Sequence, residues 1–224
     1  MRLTLLFDLD GTLIDSIELI QNSRAYAFAA CGLPTPTDRE WLAWIGTPLR
    51  TTFAHFADDA HTDRLLAAYR DYQLLNHDRL VHTYNGVPQT LGALHASGYP
   101  MGIVTSKSVE LAERALHLIG VRHFLDVIIG HDSTVHHKPH PEPVLAALDQ
   151  LNGRGDRAIF VGDSVHDMHS GNAAGVATVA ALWGPFTRDE LALATPRYYL
   201  DRIAELPALA ARLDANETRP DPQA

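Results

Sequence analysis

The sequence predicts an α/β fold: a parallel sheet with helices on both faces, interrupted once by an all-helical insert. Three observations predict it. Short apolar, β-branched runs alternate with helix-period stretches over most of the 224 residues, the pattern that strand–helix–strand crossovers impose. From Ser16 to Tyr84 the alternation stops and only helical signals remain. Charged and hydroxyl side chains gather just after the apolar runs, where open parallel sheets bind their ligands.

Taken in order, the first strand is Leu3–Leu9, which runs into the stretch "FDLDGTLIDS". The insert follows. Asp15 with Glu18 and Thr37 with Glu40 have the spacing of capping boxes, and Thr47-Pro48 places a capping residue before a first-turn proline. Gly32, Pro34 and Pro36 end its first helix, and Thr62–Arg79 forms a long last one. Hinges are expected near Asp15–Ser16 and Tyr84–Asn85–Gly86. Residues 16–84 are then a helical cap, and 1–15 with 85–215 a discontinuous core. In that core the helices Pro88–Ser97, Val109–Ile119, Pro141–Leu151 and His166–Ala174 separate the strands Met101–Thr105, Leu125–Ile129, Ala158–Gly162 and Ala177–Leu182. The tail 216–224 is polar and proline-bearing, and disorder is expected there.

The totals narrow the function classes. A chain that is 46% hydrophobic and 20% charged has the composition of a globular protein with a sizeable core. A formal net charge of −9 counts against non-specific binding of nucleic acid or an anionic membrane. Cys31 is the only cysteine, so no intrachain disulfide forms and a reducing cytoplasm is expected. Asp8 and Asp10 interrupt the N-terminal apolar run too early for a signal peptide or a membrane span.

Asp8 and Asp10 stand two apart on an extended segment, so both side chains project to one side, where like charges resist ionising together. Gly11 then lets the backbone leave the strand. Thr105 and Ser106 end a later strand with hydroxyls and free backbone donors suited to an anion. Lys138 precedes a helix that Pro141 can open, and "AIFVG" leads into Asp163 and Asp167. The chain has only two lysines, Lys107 and Lys138, beside sixteen arginines, so a compact ammonium bridging carboxylate and phosphate is a fitting use for one of them. Carboxylate oxygens of this kind suit Mg²⁺, which relieves their repulsion.

Four stretches, "DLDGTLIDS", "GIVTSK", "KPHPEP" and "VGDSVHD", resemble the four motifs of the haloacid dehalogenase superfamily in order and spacing, from Leu3 to about Ala181. The resemblance implies a Rossmann-like core with a helical cap inserted between the first two motifs. It implies that Asp8 is the nucleophile and Asp10 the acid and base, with Thr105 and the amides near Gly11 and Ser106 holding the phosphoryl oxygens. Lys138 would offset charge at Asp8. Mg²⁺ would sit on Asp8, the Asp10 carbonyl and Asp163, with Asp167 in support. Within the superfamily, dehalogenases lack the second acid that Asp10 supplies, and phosphonatases use a cap lysine that residues 16–84 do not contain. Sugar-phosphate phosphomutases, the alternative reading, carry a cap histidine where this chain has Ile20; His55, His77 or His82 would have to substitute. What remains is a hydrolase of small phosphorylated metabolites. "FAACGLP", "WIGTPLRTTF" and "KPHPEPVLAAL" resemble the branch of phosphoglycolate phosphatases and a nearby pyrophosphatase. Arg50, after Gly46, is expected to reach the substrate's second anionic group.

Other residues are read as structural. His136, His137 and His140 lie in a solvated loop without zinc-ligand spacing. His166, between Asp163 and Asp167, fits either a contact to the metal's waters or a helix start, and Cys31 packs at a helix end. Trp41 and Trp44, three apart, are expected in the cap's own core. A monomer and a homodimer are both compatible with the sequence.

Overall fold

The computed structural model describes residues 2–216, so the expected disorder of the tail falls almost wholly outside the described residues. Six parallel strands form the main sheet: β1 (Thr4–Phe7), β4 (Met101–Val104), β5 (Val127–Ile129), β6 (Ala158–Gly162), β7 (Ala177–Ala181) and β8 (Tyr198–Leu200). Their spatial order is β5-β4-β1-β6-β7-β8. β1 is central: Phe7 pairs with Ile103 of β4 on one side and with Val161 of β6 on the other.

All four residues of β1 are buried, as a strand covered on both faces requires. Leu5 and Phe7 join one core cluster with Leu91, Leu116 and Leu206; Leu6 points the other way, to Val144, Leu148 and Phe160. The helices are α5 (Val87–Ala96), α6 (Val109–Leu118), α7 (Glu142–Gln150), α8 (Val165–Ala173), α9 (Arg188–Ala192) and α10 (Leu206–Asn216). Truncating Phe7 to alanine here would cost about 3–5 kcal/mol.

Several expectations need trimming. The first strand stops at Phe7 instead of Leu9: the Asp8 amide still donates to the Val161 carbonyl at 2.9 Å, and the backbone bends at Leu9. β5 begins at Val127, after a short 3₁₀ turn over Arg122–Phe124. β8 is an added edge strand of three residues, too short to register as a periodic signal.

Between β1 and α5 lie α1 (Ile17–Cys31), α2 (Asp38–Leu42), α3 (Leu49–Phe56) and α4 (Asp59–Leu80). They pack around a core of their own, with Phe28, Trp41, Phe53, Leu65 and Tyr69 buried in it. Trp41 and Phe53 have ring centroids 5.1 Å apart. Trp44 lies outside that core and packs on His55 at 4.3 Å. The stretch read as strand-free ends in β3 (His82–Thr83), which pairs antiparallel with β2 (Ile14–Asp15) where the chain enters and leaves the helical insert. The Thr37–Glu40 capping box forms. The one read at Asp15 and Glu18 does not: Ser16 takes the N-cap position, and its hydroxyl turns to Asp10. Pro48 itself caps α3, while the Thr47 hydroxyl donates to the Trp44 carbonyl.

Candidate active site

The C-terminal ends of the three central strands, β4, β1 and β6, lie side by side, so the residues that follow them meet although up to 155 positions separate Asp8 from Asp163. Asp8 follows β1, Thr105 follows β4 and Asp163 follows β6. Lys138 enters from the loop before α7, and Asp167 sits in the first turn of α8. The Lys138 ammonium is buried and donates to Asp8 Oδ1 and Asp167 Oδ1, each at 2.7 Å. A desolvated ammonium persists only between carboxylates, and Asp8 and Asp167 supply them. Burial pushes its pKa down, but Asp167 and Asp8 more than offset this, and the net shift is upward.

The carboxylates are not equivalent. Asp167 is saturated: Oδ1 accepts from Lys138, and Oδ2 accepts the Ser164 amide at 3.0 Å and hydroxyl at 2.7 Å. Asp163 is not. Its Oδ1 accepts from the Thr12 hydroxyl at 2.9 Å, while its buried Oδ2 has no partner. A Cβ placed on Gly11 would lie 2.3 Å from that bare oxygen, and Gly11 sits at φ +82°, so both space and backbone demand glycine. Ligand oxygens of Asp8, Asp163 and Asp167 all lie within 4.8 Å of one another. Burial pushes Asp8 up to about 7, with Lys138 pulling the other way and the Asp167 charge adding to the rise. Burial, then the charges of Asp8 and Asp167, raises Asp163 as well. Three buried carboxylates against one ammonium, with one oxygen bare, fit a divalent cation held by oxygen.

Asp10 has a different environment from Asp8. Its Oδ1 accepts from Lys107 Nζ at 2.6 Å and from the Ser16 hydroxyl, so each aspartate of the pair has its own lysine. Lys107 is the residue sequence reasoning passed over; that both lysines of the chain stand here was the available signal. Thr105 Oγ1 accepts the Lys107 amide at 3.2 Å, which leaves its hydroxyl proton to donate. The Gly11 amide, expected to face phosphoryl oxygens, is instead bonded to the Ile14 carbonyl at 2.8 Å. The amides of Asp10 and Ser106 make no hydrogen bond among the described residues.

A cavity of about 800 Å³ lies above these groups, with Asp8, Asp10, Thr105 and Lys107 on its floor and residues of α1, α3 and α4 as its roof. Roof and floor meet at the turn at Gly46 (φ +94°), whose carbonyl accepts from the Ser106 hydroxyl at 2.5 Å. A Cβ there would stand 3.1 Å from Ser164 Oγ. Arg50 borders the cavity, but its guanidinium is held by Asp63 at 2.6 Å on the exposed side of the insert. The expectation that Arg50 reaches the substrate is therefore not what the structure displays. Trp44, expected in the insert's core, lines the cavity as well. Ile20 is part of the roof, and His55, His77 and His82 are not among the lining residues.

Residues 5–181 match the family model described as "haloacid dehalogenase-like hydrolase". Among curated proteins, the chain is 36% identical over 211 residues to the pyrophosphatase PpaX of Bacillus mycoides, covering 94% of this chain and 98% of that one. It is 38% identical over 204 residues to its namesake in Bacillus thuringiensis, covering 91% and 94%. Among solved structures, a protein from Haemophilus somnus described as a predicted phosphoglycolate phosphatase superposes with a TM-score of 0.85 at 25% identity, over 93% of this chain and 97% of that one. A haloacid dehalogenase-like hydrolase from Streptococcus pneumoniae does so at 0.83 and 28%, over 93% and 98%.

Proposed function

Because the chain belongs to the haloacid dehalogenase-like hydrolases, we propose that it is a Mg²⁺-dependent phosphatase that releases phosphate from small phosphorylated metabolites through an aspartyl-phosphate on Asp8. Pyrophosphate and phosphoglycolate are the first substrates to try, given the named activities of its relatives. The observation that supports this most is the pairing of Asp8 with Lys138 at 2.7 Å beside the bare Asp163 oxygen.

In this reading Asp8 attacks phosphorus in line, and the bond from phosphorus to the leaving oxygen breaks as the new one forms. Lys138 fixes the Asp8 rotamer and offsets charge as the phosphoryl group arrives. Asp10, held by Lys107 and Ser16, gives the leaving oxygen a proton and then takes one from the water that cleaves the acyl-phosphate. The Thr105 hydroxyl and the Ser106 amide donate to the phosphoryl oxygens. Asp8, Asp163 and the Asp10 carbonyl would hold Mg²⁺, with Asp167 orienting Lys138; the cation supplies positive charge against the approaching phosphoryl group.

Hydrolysis is favoured over phosphoryl isomerisation because the roof presents Ile20, which cannot exchange a proton, and none of His55, His77 and His82 faces the cavity. A cytoplasmic location rests on the single cysteine; no described helix is long and apolar enough to cross a membrane. The test is phosphate release from pyrophosphate, phosphoglycolate and phenyl phosphate with Mg²⁺. Asp8→Asn should lower kcat by at least about 10³-fold, and chelation should abolish turnover. A near-normal rate in either case would overturn the assignment.

A further inference from the structure

We propose that Tyr69, Arg70 and Gln73 on α4 form the subsite for the leaving group, and that this subsite takes a leaving group carrying its own anionic oxygens, a second phosphate or a carboxylate. The inference rests on the hydrolase reading above and adds to it which substrates are preferred.

Tyr69 and Gln73 are 2% and 6% exposed, yet both line the cavity that contains Asp8 and Asp10. The Gln73 carboxamide donates to the Tyr69 hydroxyl oxygen at 3.1 Å. That bond leaves the phenol proton without an acceptor and the Gln73 carboxamide oxygen without a donor among the described residues. Buried polar side chains are seldom left half-satisfied unless a ligand or water completes them. Elsewhere in the roof Ile20, Trp44 and Leu49 are apolar, the hydroxyls of Thr47 and Thr52 bond to each other, and Arg50 is held by Asp63.

Tyr69 shares its cavity with Asp10 and Asp8. Burial, with the Asp10 charge adding to it, raises the Tyr69 phenol well above its ordinary pKa, so it remains a donor. Arg70, the next residue on α4, lines the same cavity and makes no ion pair or hydrogen bond among the described residues, whereas Arg50 is held by Asp63. A phenol, a carboxamide and an uncommitted guanidinium together match the oxygens of phosphate or carboxylate, not a hydrocarbon. Arg70 thus takes the role that the sequence suggested for Arg50.

The experiment compares kcat/KM for pyrophosphate, phosphoglycolate and phenyl phosphate in Arg70→Ala, Tyr69→Phe and Arg50→Ala. For Arg70→Ala, the ratio of pyrophosphate to phenyl phosphate should fall at least about tenfold, mainly through KM. The phosphoglycolate ratio shows whether a carboxylate is read by the same groups. Tyr69→Phe keeps the ring in the insert's core and should lower both ratios; Arg50→Ala should lower them less than Arg70→Ala. Equal losses on all three substrates, or no loss, would overturn the subsite. Calorimetric binding of pyrophosphate to the Asp8→Asn protein, with and without Arg70→Ala, reads the subsite without turnover. If the wild type hydrolyses nothing, the hydrolase reading fails alone, and an unchanged affinity on Arg70→Ala would then sink the subsite separately.

Discussion

The floor of the cavity is built from charged groups that constrain one another, and its roof from an apolar wall with a few unsatisfied polar groups. Beneath the floor and joined to it through Asp8, Lys138 bridges two carboxylates, Asp167 is saturated, and Thr12 holds one oxygen of Asp163. In the roof, aromatic side chains pack on one another and the polar groups of Tyr69 and Gln73 retain bonding capacity. Such a floor suits chemistry that must be the same for every phosphoryl group, because displacing one charge strands the others. The roof can vary without disturbing that chemistry. Floor substitutions should therefore change kcat, and roof substitutions KM and substrate preference.

The sharpest way to break this contrast is Gly11→Ala. The new methyl would lie 2.3 Å from the bare Asp163 oxygen at a φ of +82°, so either the loop or the carboxylate must move. The expected outcome is a fall in kcat of at least about 10²-fold and weaker Mg²⁺ binding by calorimetry, with the fold retained by circular dichroism. Wild-type Mg²⁺ affinity in this variant would mean that Asp163 is not a ligand.

That prediction depends on a glycine the sequence marks clearly, and the same holds for most of the floor. Asp8, Thr105 and Asp163 could be found because each follows a strand with a recognisable apolar signature, and parallel topology brings strand ends together whatever lies between them; Lys138 could be found because lysine is scarce in this chain and this one stands just before a helix. What escaped depends on contacts across the chain. Lys107 touches Asp10, 97 positions away, and nothing local announces it. Arg50 has the local sequence of a substrate arginine, but Asp63, thirteen positions on, holds its guanidinium. Asp15 had the spacing of a cap but lost the position to Ser16. Tyr69 and Gln73 are one helix turn apart and resemble any buried stripe, since which face borders the cavity is decided by how α4 meets the core.

A smaller effect separates floor from roof by pH. Burial raises Asp8 to about 7 and raises Asp163 too, so without metal the folded protein favours their protonated forms. The stability this contributes is fully present below the unfolded carboxyl pKa, near 4, and is lost as pH rises through about 7. A divalent cation replaces those protons, so Mg²⁺ should raise Tm more at pH 8 than at pH 5.5 in scanning calorimetry. Asp163→Asn should shrink the difference; Arg70→Ala should not. An equal gain at both pH values would show that the cation binds elsewhere.

The smallest effect concerns the hydrogen bond from the Ser106 hydroxyl to the Gly46 carbonyl at 2.5 Å, which ties floor to roof. Ser106→Ala removes a neutral bond with a net value of about 0.5–1.5 kcal/mol, and the half-buried Gly46 carbonyl can turn to water instead. The Ser106 amide, the group assigned to the phosphoryl oxygens, stays in place. If the bond helps hold the roof over the floor, its loss shifts that equilibrium by no more than about tenfold. KM should then rise severalfold while kcat under saturation stays within a factor of two, on pyrophosphate and phenyl phosphate alike, because closure precedes any reading of the leaving group. A fall in kcat with KM unchanged would place the serine hydroxyl among the floor groups that act on the phosphoryl oxygens, and the division between the two surfaces would have to be redrawn at that residue.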